Sequence, residues 1–564
     1  MSTVPRLDDA VRRDRPVFAL ARRWSWRATV PGVASSVALA TLVAAALLTL
    51  GKPPYSADSW SYLDLAQEIG SDFYHVDVIR QYQFEPGYGA SFPPLLPVLM
   101  AGVLALAPVG IYAGSFVNLA VAAATLPVLT RLARQVCGRP AVGAALFLGL
   151  VGNREYLVEV VAGRSIPLAV LVFLSALVVF LADRAPRRDW LLGILAGVIT
   201  LARFDFLLGG IALGIAVAID SPGRRSAALA RFLVAYAATL APWIAYSLHH
   251  FGRVFVSDNA RTVLLADPSH VLNYFPEPMP TLFDAPGAWC SKSLAHLRFV
   301  CGERFPLALV SDRMFLLLVA LAAGLALRYR FVSHAGGGSD GGRGRPPIGS
   351  SVARPFVRLL LPGLALVVVL GSVALTGYKP LRYHTLAVVF LDICLIAFVE
   401  RRFGCLASPR ADATLIAAAF LVAVVPTLVQ HVRETGLVAP TRLEPRLLAH
   451  PDNLAAVAVL EDPDHARVLF LEPAGVLQSY QFGAQTGVDT YVDPRNLDER
   501  SAAELIARYG ITHVVTANPA WCERLRRSVA IEPVDARLHL FRLAPENRAA
   551  ALAARDDDHC PPVR

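Results

Sequence analysis

About a dozen apolar stretches, most of roughly 17–23 residues, recur along this chain and leave it few ways to fold. A helical run of that length matches the hydrocarbon thickness of a bilayer. In lipid no water is available to pair free backbone groups, so helices that satisfy their own are the expected form. Charged residues make up 17% of the 564-residue chain, below the roughly 25% of a soluble domain, and the mean hydropathy is +0.49. The expected class is an all-α polytopic membrane protein. Its net charge of +9 does not point to a nucleic-acid partner, because the arginines lie in short loops between spans, where they set orientation.

Twelve spans are expected, near 30–50, 93–109, 111–130, 138–152, 165–182, 190–202, 204–219, 226–248, 305–327, 355–376, 384–399 and 412–430. The first follows a basic start (Arg12, Arg13, Arg22, Arg23, Arg27) and reads as an anchor, since its apolar region exceeds the roughly 7–15 residues of a signal peptide. Residues 1–29 then form a cytoplasmic basic N-terminus, and 30–430 the transmembrane domain. With that orientation the Arg clusters at 131–139, 184–188, 224–225, 328–358 and 401–410 all face the cytoplasm. Merging 190–219 into one helix would make it about 45 Å long at ~1.5 Å per residue, too long for a bilayer of about 30 Å, so two helices are expected there. The outside segments include a first loop, 51–92, a loop at 249–304, and residues 431–564. The Gly-rich stretch 335–350 has no flanking strand and no Gly-Lys-Ser/Thr, so it reads as a linker.

The tail changes character. Short β-like runs occur at 468–471, 512–516 and 538–541, and a helix signal runs from Asp498 to a stop at Gly510. A small extracytoplasmic α/β domain is expected over 431–564. Cys290 and Cys301 fall outside and are candidates for a local disulfide.

The segment most suggestive of chemistry lies just beyond the first span, in Tyr55-Ser-Ala-Asp-Ser-Trp-Ser-Tyr62. Asp58 is a carboxylate close to hydrocarbon, which is costly unless it has a task in a watered cavity. It is either a helix N-cap or a general base. Tyr62, one helical turn on, shares its face and is a candidate substrate contact. A Pro-rich return into the bilayer follows, Ser91-Phe-Pro-Pro94. Outside arginines run against the orientation bias and need a reason, such as binding a lipid phosphate. Arg382 and Lys379 lie in Gly377-Tyr-Lys-Pro-Leu-Arg-Tyr-His384, beside Tyr383, another candidate substrate contact. Arg203 lies in Leu201-Ala-Arg-Phe-Asp205, where pairing with Asp205 or Glu159 is the alternative. Glu155 and Glu159, at i and i+4 in the second outside loop, are cation ligands or acceptor contacts, or else a solvated helix face. A divalent metal is one candidate cofactor, with Asp58, His75 and Asp77 as weak ligand candidates.

Four pieces, in this order, resemble the GT-C glycosyltransferases, the class that includes aminoarabinose transferases of lipid A and protein O-mannosyltransferases. They are Asp58-Ser-Trp-Ser-Tyr62 with Ser91-Phe-Pro-Pro94; Leu201-Ala-Arg-Phe-Asp205; Ala241-Pro-Trp243 followed by Phe251-Gly252; and Leu381-Arg-Tyr-His384. The chain departs from many members in carrying Ser59, not a second acidic residue, after Asp58. The resemblance implies a GT-C-like membrane domain that takes a sugar from a polyprenyl-phosphate donor. Asp58 would be the general base of a single inverting displacement, and Arg382, Lys379 and Arg203 would neutralise the leaving phosphate. The acceptor would be an envelope glycan, lipid or protein.

Two other classes fit the same spans: a lipid-linked sugar transporter or flippase, and a non-catalytic envelope scaffold. A transporter calls for polar sites at the midplane and internal repeats. The Ala/Arg/Val-rich composition suggests a bacterial plasma membrane, with the N-terminus cytoplasmic and the C-terminal domain extracytoplasmic.

Overall fold

The structure is a computed structural model that describes residues 57–70, 92–182, 185–255, 280–335, 358–375, 381–403 and 409–435, shorter stretches within 32–43, 75–88 and 263–266, and several stretches between 460 and 543. It is mostly helical. After α1 (Ala57–Glu68) come α2 (Leu95–Leu106), α3 (Ala113–Cys137), α4 (Pro140–Gly152), α5 (Arg154–Val161), α6 (Ile166–Leu181), α7 (Pro186–Ala202), α8 (Phe206–Ile219) and α9 (Arg225–Phe251). Then follow α10 (Pro286–Ser311), α11 (Arg313–Ala335), α12 (Gly363–Leu375), α13 (Thr385–Phe403) and α14 (Arg410–Gln430).

Twelve full spans are not what the described residues contain. Three helices, Gly110–Cys137, Arg225–Phe251 and Arg410–Gln430, are long and apolar enough to cross a membrane, or five if each of two bent pairs counts as one span. The expected span at 138–152 is the 13-residue α4, about 20 Å long, which bends by 75° into α5. The expected span at 305–327 is α10 running into α11 across an 83° bend. The bends have a chemical cause. Asn153 caps α5, its Oδ1 accepting from the Tyr156 N–H, and Asp312 Oδ1 accepts from the Phe315 N–H at the start of α11. The two capping side chains also meet, Asn153 Nδ2 donating to Asp312 Oδ2 at 2.6 Å. One polar contact thus pins both breaks. The expectation of two helices across 190–219 holds: α7 and α8 are separate, with Arg203 and Asp205 in the turn.

The helices pack around one large apolar cluster. Leu96, Leu129, Phe147, Phe173, Leu174 and Ile393 are all buried within it. At one end of α6 a second kind of core appears. Arg188, buried, donates to Asp220 at 2.7 Å and to Ser221, and Arg358 donates to the other oxygen of Asp220 at 2.9 Å. The Phe180 carbonyl, near the end of α6, accepts from Arg358 at 3.1 Å. Asp189 lies between Arg224 and Arg231. Three loops expected on the inside therefore share one charge network.

The C-terminal part forms a six-stranded sheet of order β2-β5-β4-β6-β8-β7, from β4 (Arg467–Phe470), β5 (Asp489–Val492), β6 (His513–Val515), β7 (Ile531–Asp535), β8 (Leu540–Leu543) and a strand from elsewhere, β2 (Val78–Ile79). β4, β5 and β6 are parallel, β7 and β8 antiparallel. Both faces are covered. Val468, Phe470, Phe482 and Leu540 pack on one side, and Leu469, Tyr491, Ile506 and Trp521 (from α15, Pro519–Ser528) on the other. That explains a run such as Val468–Leu471 with no polar alternation. The helix signal before β6 stops where expected, at Gly510 with φ +60°. Of the expected run 538–541, Leu540 and Phe541 lie in β8, and residues 538–539 lie outside the described residues. β2 belongs to the first of the loops expected outside, 51–92. Val78 and Ile79 pair in parallel with Thr490 and Tyr491, so that loop supplies the edge of the C-terminal sheet. The same loop folds back on itself through β1 (His75–Val76) and β3 (Gly87–Tyr88).

Candidate active site

The first turn of α1 carries Asp58, where an acidic side chain is favoured by the helix dipole. Its carboxylate accepts a hydrogen bond from Arg382 Nη2 at 2.8 Å, across 324 residues of chain. Arg382 sits on a single turn of 3₁₀ helix, Leu381–His384, that opens α13. Its other terminal nitrogen, Nη1, is 3.7 Å from Glu159 Oε1. Glu159, 2% exposed, in turn accepts from Arg164 Nη1 at 2.7 Å. The result is an alternating chain of charge, Asp58, Arg382, Glu159, Arg164, at one end of the bundle.

The loop that carries Glu159 and Arg164 is held from behind by α3. The fully buried Asn118 donates from Nδ2 to the Glu159 carbonyl at 3.0 Å and the Arg164 carbonyl at 2.8 Å. Ser115 Oγ donates to the Val161 carbonyl at 2.5 Å. Gly163, with φ +66°, closes the turn; a Cβ there would lie 2.8 Å from the Gly114 Cα, so neither glycine has room for a side chain. These contacts fix the register between α3 and the start of α6, and with it the carboxylate that faces Arg382.

Glu155 lies one turn before Glu159, next to Arg154 at 3.5 Å. Burial raises its pKa above the ordinary value, opposed by Arg154. His384, two residues after Arg382, is buried, its ring 5.8 Å from that of Phe305.

Arg203 is bidentate to Asp205, with contacts of 2.7 and 3.1 Å, and its Nη1 lies 3.4 Å from Ser165 Oγ. Of the two partners weighed for it, Asp205 is the one it takes. A narrow apolar crevice runs from Arg203 and Asp205 past Ile166 and Leu366 to Leu386 and Ala387, on the helix that follows Arg382.

Several expectations change. Tyr62 is 5% exposed, its ring edge-on to Phe92 at 4.9 Å, so it packs into the core and is not an open substrate contact. Glu159 is not on a solvated face. Cys290 and Cys301 are free thiols, because both lie on α10, where 11 residues place them about 16 Å apart, beyond disulfide reach. Lys379, Asp77 and the side chains of His75 and Tyr383 lie outside the described residues. Among the described residues no three His, Cys, Asp or Glu gather as a metal site. Asp58 and Glu159 are engaged by guanidinium groups, so they do not form an open donor set for a cation. Two groups carry no signal in sequence. Asn118 acts only through carbonyls 41 and 46 residues away, and Asp64, on α1, is 1% exposed and has polar or charged partners.

No family model matches the chain, and no curated protein matches it. Solved structures do. ArnT from Cupriavidus metallidurans bound to undecaprenyl phosphate is similar over 92% of this chain and 98% of its own, with a TM-score of 0.51 and 14% identity. The apo state of the same protein matches over 94% and 99%, with a TM-score of 0.44 and 14% identity. The Archaeoglobus fulgidus oligosaccharyltransferase in complex with Zn and sulfate matches over 86% and 67%, with a TM-score of 0.47 and 13% identity. The protein has a GT-C-like membrane fold.

Proposed function

We propose that this protein is an inverting membrane glycosyltransferase, moving a sugar from a polyprenyl-phosphate donor to an acceptor on the outer face of a bacterial plasma membrane. The observation that carries the reading is the 2.8 Å contact between Asp58 and Arg382, which joins a base and an anion receptor from opposite ends of the membrane domain. The fold shared with ArnT, which was solved with undecaprenyl phosphate, supports the donor class.

The chemistry follows from the two groups. In the resting site each neutralises the other. A donor phosphate competes for Arg382, and Asp58 is released to accept a proton. The acceptor oxygen attacks the anomeric carbon as its proton passes to Asp58, and the carbon–oxygen bond to phosphate breaks. Polyprenyl phosphate leaves with the electron pair, and the configuration inverts. The leaving group needs charge neutralisation more than a proton, and Arg382 provides it, joined by Lys379. Arg203, engaged by Asp205 at 2.7 Å, is a second cation offered to the donor phosphate. Glu159, itself held by Arg164, steadies Arg382 from the side away from Asp58, and Glu155, one turn before Glu159, is offered as a contact for the acceptor. Residues 78–79 and 489–492 share a sheet, which supports placing the first loop and the C-terminal domain on one side of the membrane. The acceptor is an envelope glycan, lipid or protein reaching the site from that side.

The test uses full-length protein in lipid with a panel of labelled polyprenyl-phosphate sugars and an envelope extract. Release of polyprenyl phosphate together with label on an acceptor is expected for one donor. Movement of an intact donor across the bilayer, or binding of donors with no release, would replace this reading with a transporter or a scaffold.

A further inference from the structure

A second charged feature lies at the other end of α3. From Asn118, which serves the candidate active site, to Arg131 is 13 residues, or about 20 Å along the helix. There a lateral groove of about 930 Å³ opens between α3 and the first apolar segment, lined by Ser35, Leu126, Pro127, Arg131, Arg134 and Pro140 among others. Arg131 and Arg134, three residues apart, share a helix face and are exposed. Neither forms an ion pair among the described residues, whereas the neighbouring Arg139 is bound to Asp412 at 2.6 Å. The groove therefore has an apolar end at Leu126 and Pro127 and a cationic end about one turn further on.

We infer that this groove holds the headgroup of an anionic phospholipid. The order of its lining is the order of such a lipid: acyl chain against Leu126 and Pro127, phosphate against the two guanidinium groups. Val37 and Leu39, on the same segment as Ser35, are exposed apolar residues, as a lipid-facing surface carries. The basic N-terminal segment is a poor occupant. Residues 1–29 carry seven arginines against three aspartates, the same sign as the groove. The site is about 20 Å along α3 from the candidate active site and does not depend on the proposed reaction.

Native mass spectrometry of the full-length protein, in neutral detergent with equal amounts of phosphatidylglycerol and phosphatidylcholine, tests it. Retained phosphatidylglycerol should exceed phosphatidylcholine on the order of tenfold. The Arg131→Gln/Arg134→Gln double variant should bring the ratio near one. Arg131→Lys/Arg134→Lys should keep most of the preference, and so should Arg187→Gln, an exposed arginine at the same membrane end. Both arginines are exposed, so the fold should survive their loss, and an unchanged melting temperature checks that. A ratio near one in the wild type, or a preference that persists in the Gln double variant, would overturn the assignment. So would complete displacement by equimolar undecaprenyl phosphate, which would give the groove to the carrier lipid.

Discussion

Arg382 is the residue on which the proposed site turns. It presents two nitrogens to two carboxylates, Nη2 to Asp58 and Nη1 to Glu159, and only a planar fork spans both. Arg382→Lys keeps the charge but gives a single ammonium. Polyprenyl phosphate release is expected to fall about 100-fold, on the scale of losing one electrostatic contact to a developing charge. The fold should persist, because Glu159 keeps Arg164; release within threefold of wild type would remove Arg382 from the site.

At the scale of elements, the broken helices matter more than the long ones. α4–α5 and α10–α11 bend where Asn153 and Asp312 cap the following helix, and the two caps share a 2.6 Å hydrogen bond. Asp312→Ala removes a cap and strands a part-buried amide, so a loss of about 2–3 kcal/mol is expected in reversible unfolding. Asn153→Ala should cost a similar amount, and the double variant less than the sum, because the two share one contact. Additive losses would show that the breaks are independent. Sequence alone made the bends hard to see. An apolar run reports that a segment lies in lipid, but whether it is straight depends on a cap pair 159 residues apart. The same holds for Asn118, whose partners are backbone carbonyls. By contrast, the separation of α7 from α8 was legible, since a bilayer limits helix length and Arg203 and Asp205 mark the turn.

For the whole molecule, α6 measures the distance between two charged layers. Arg164 and Ser165 lie at its start with the candidate site, and the Phe180 carbonyl near its end meets Arg188 and Arg358. Its 16 residues span about 24 Å, close to a hydrocarbon thickness. Loops assigned to opposite sides by their arginines thus gather into two separate clusters. Composition and loop charge made that layout legible, as they did Asp58, Glu159 and Arg382 as candidates. What joins them was not, because ion pairs across hundreds of residues leave no local pattern. Nor was the strand that the first loop lends to the C-terminal sheet: two residues are too short for a periodic signal. Val78→Pro cannot be accommodated in that ladder without loss. Amide exchange at residues 489–492 is expected to rise about tenfold, and no change would mean that the sheet edge does not need the loop.

The most direct measurement is single-turnover transfer by the wild type and Asp58→Asn, with a labelled polyprenyl-phosphate sugar already bound. Asparagine keeps the shape of Asp58 and its place beside Arg382 but cannot take a proton. Transfer is expected to fall by about 10²–10⁴, the usual weight of a general base, while donor affinity changes by no more than a few-fold. Transfer at the wild-type rate would contradict the reading and leave Asp58 as an acidic residue that stabilises the start of a helix.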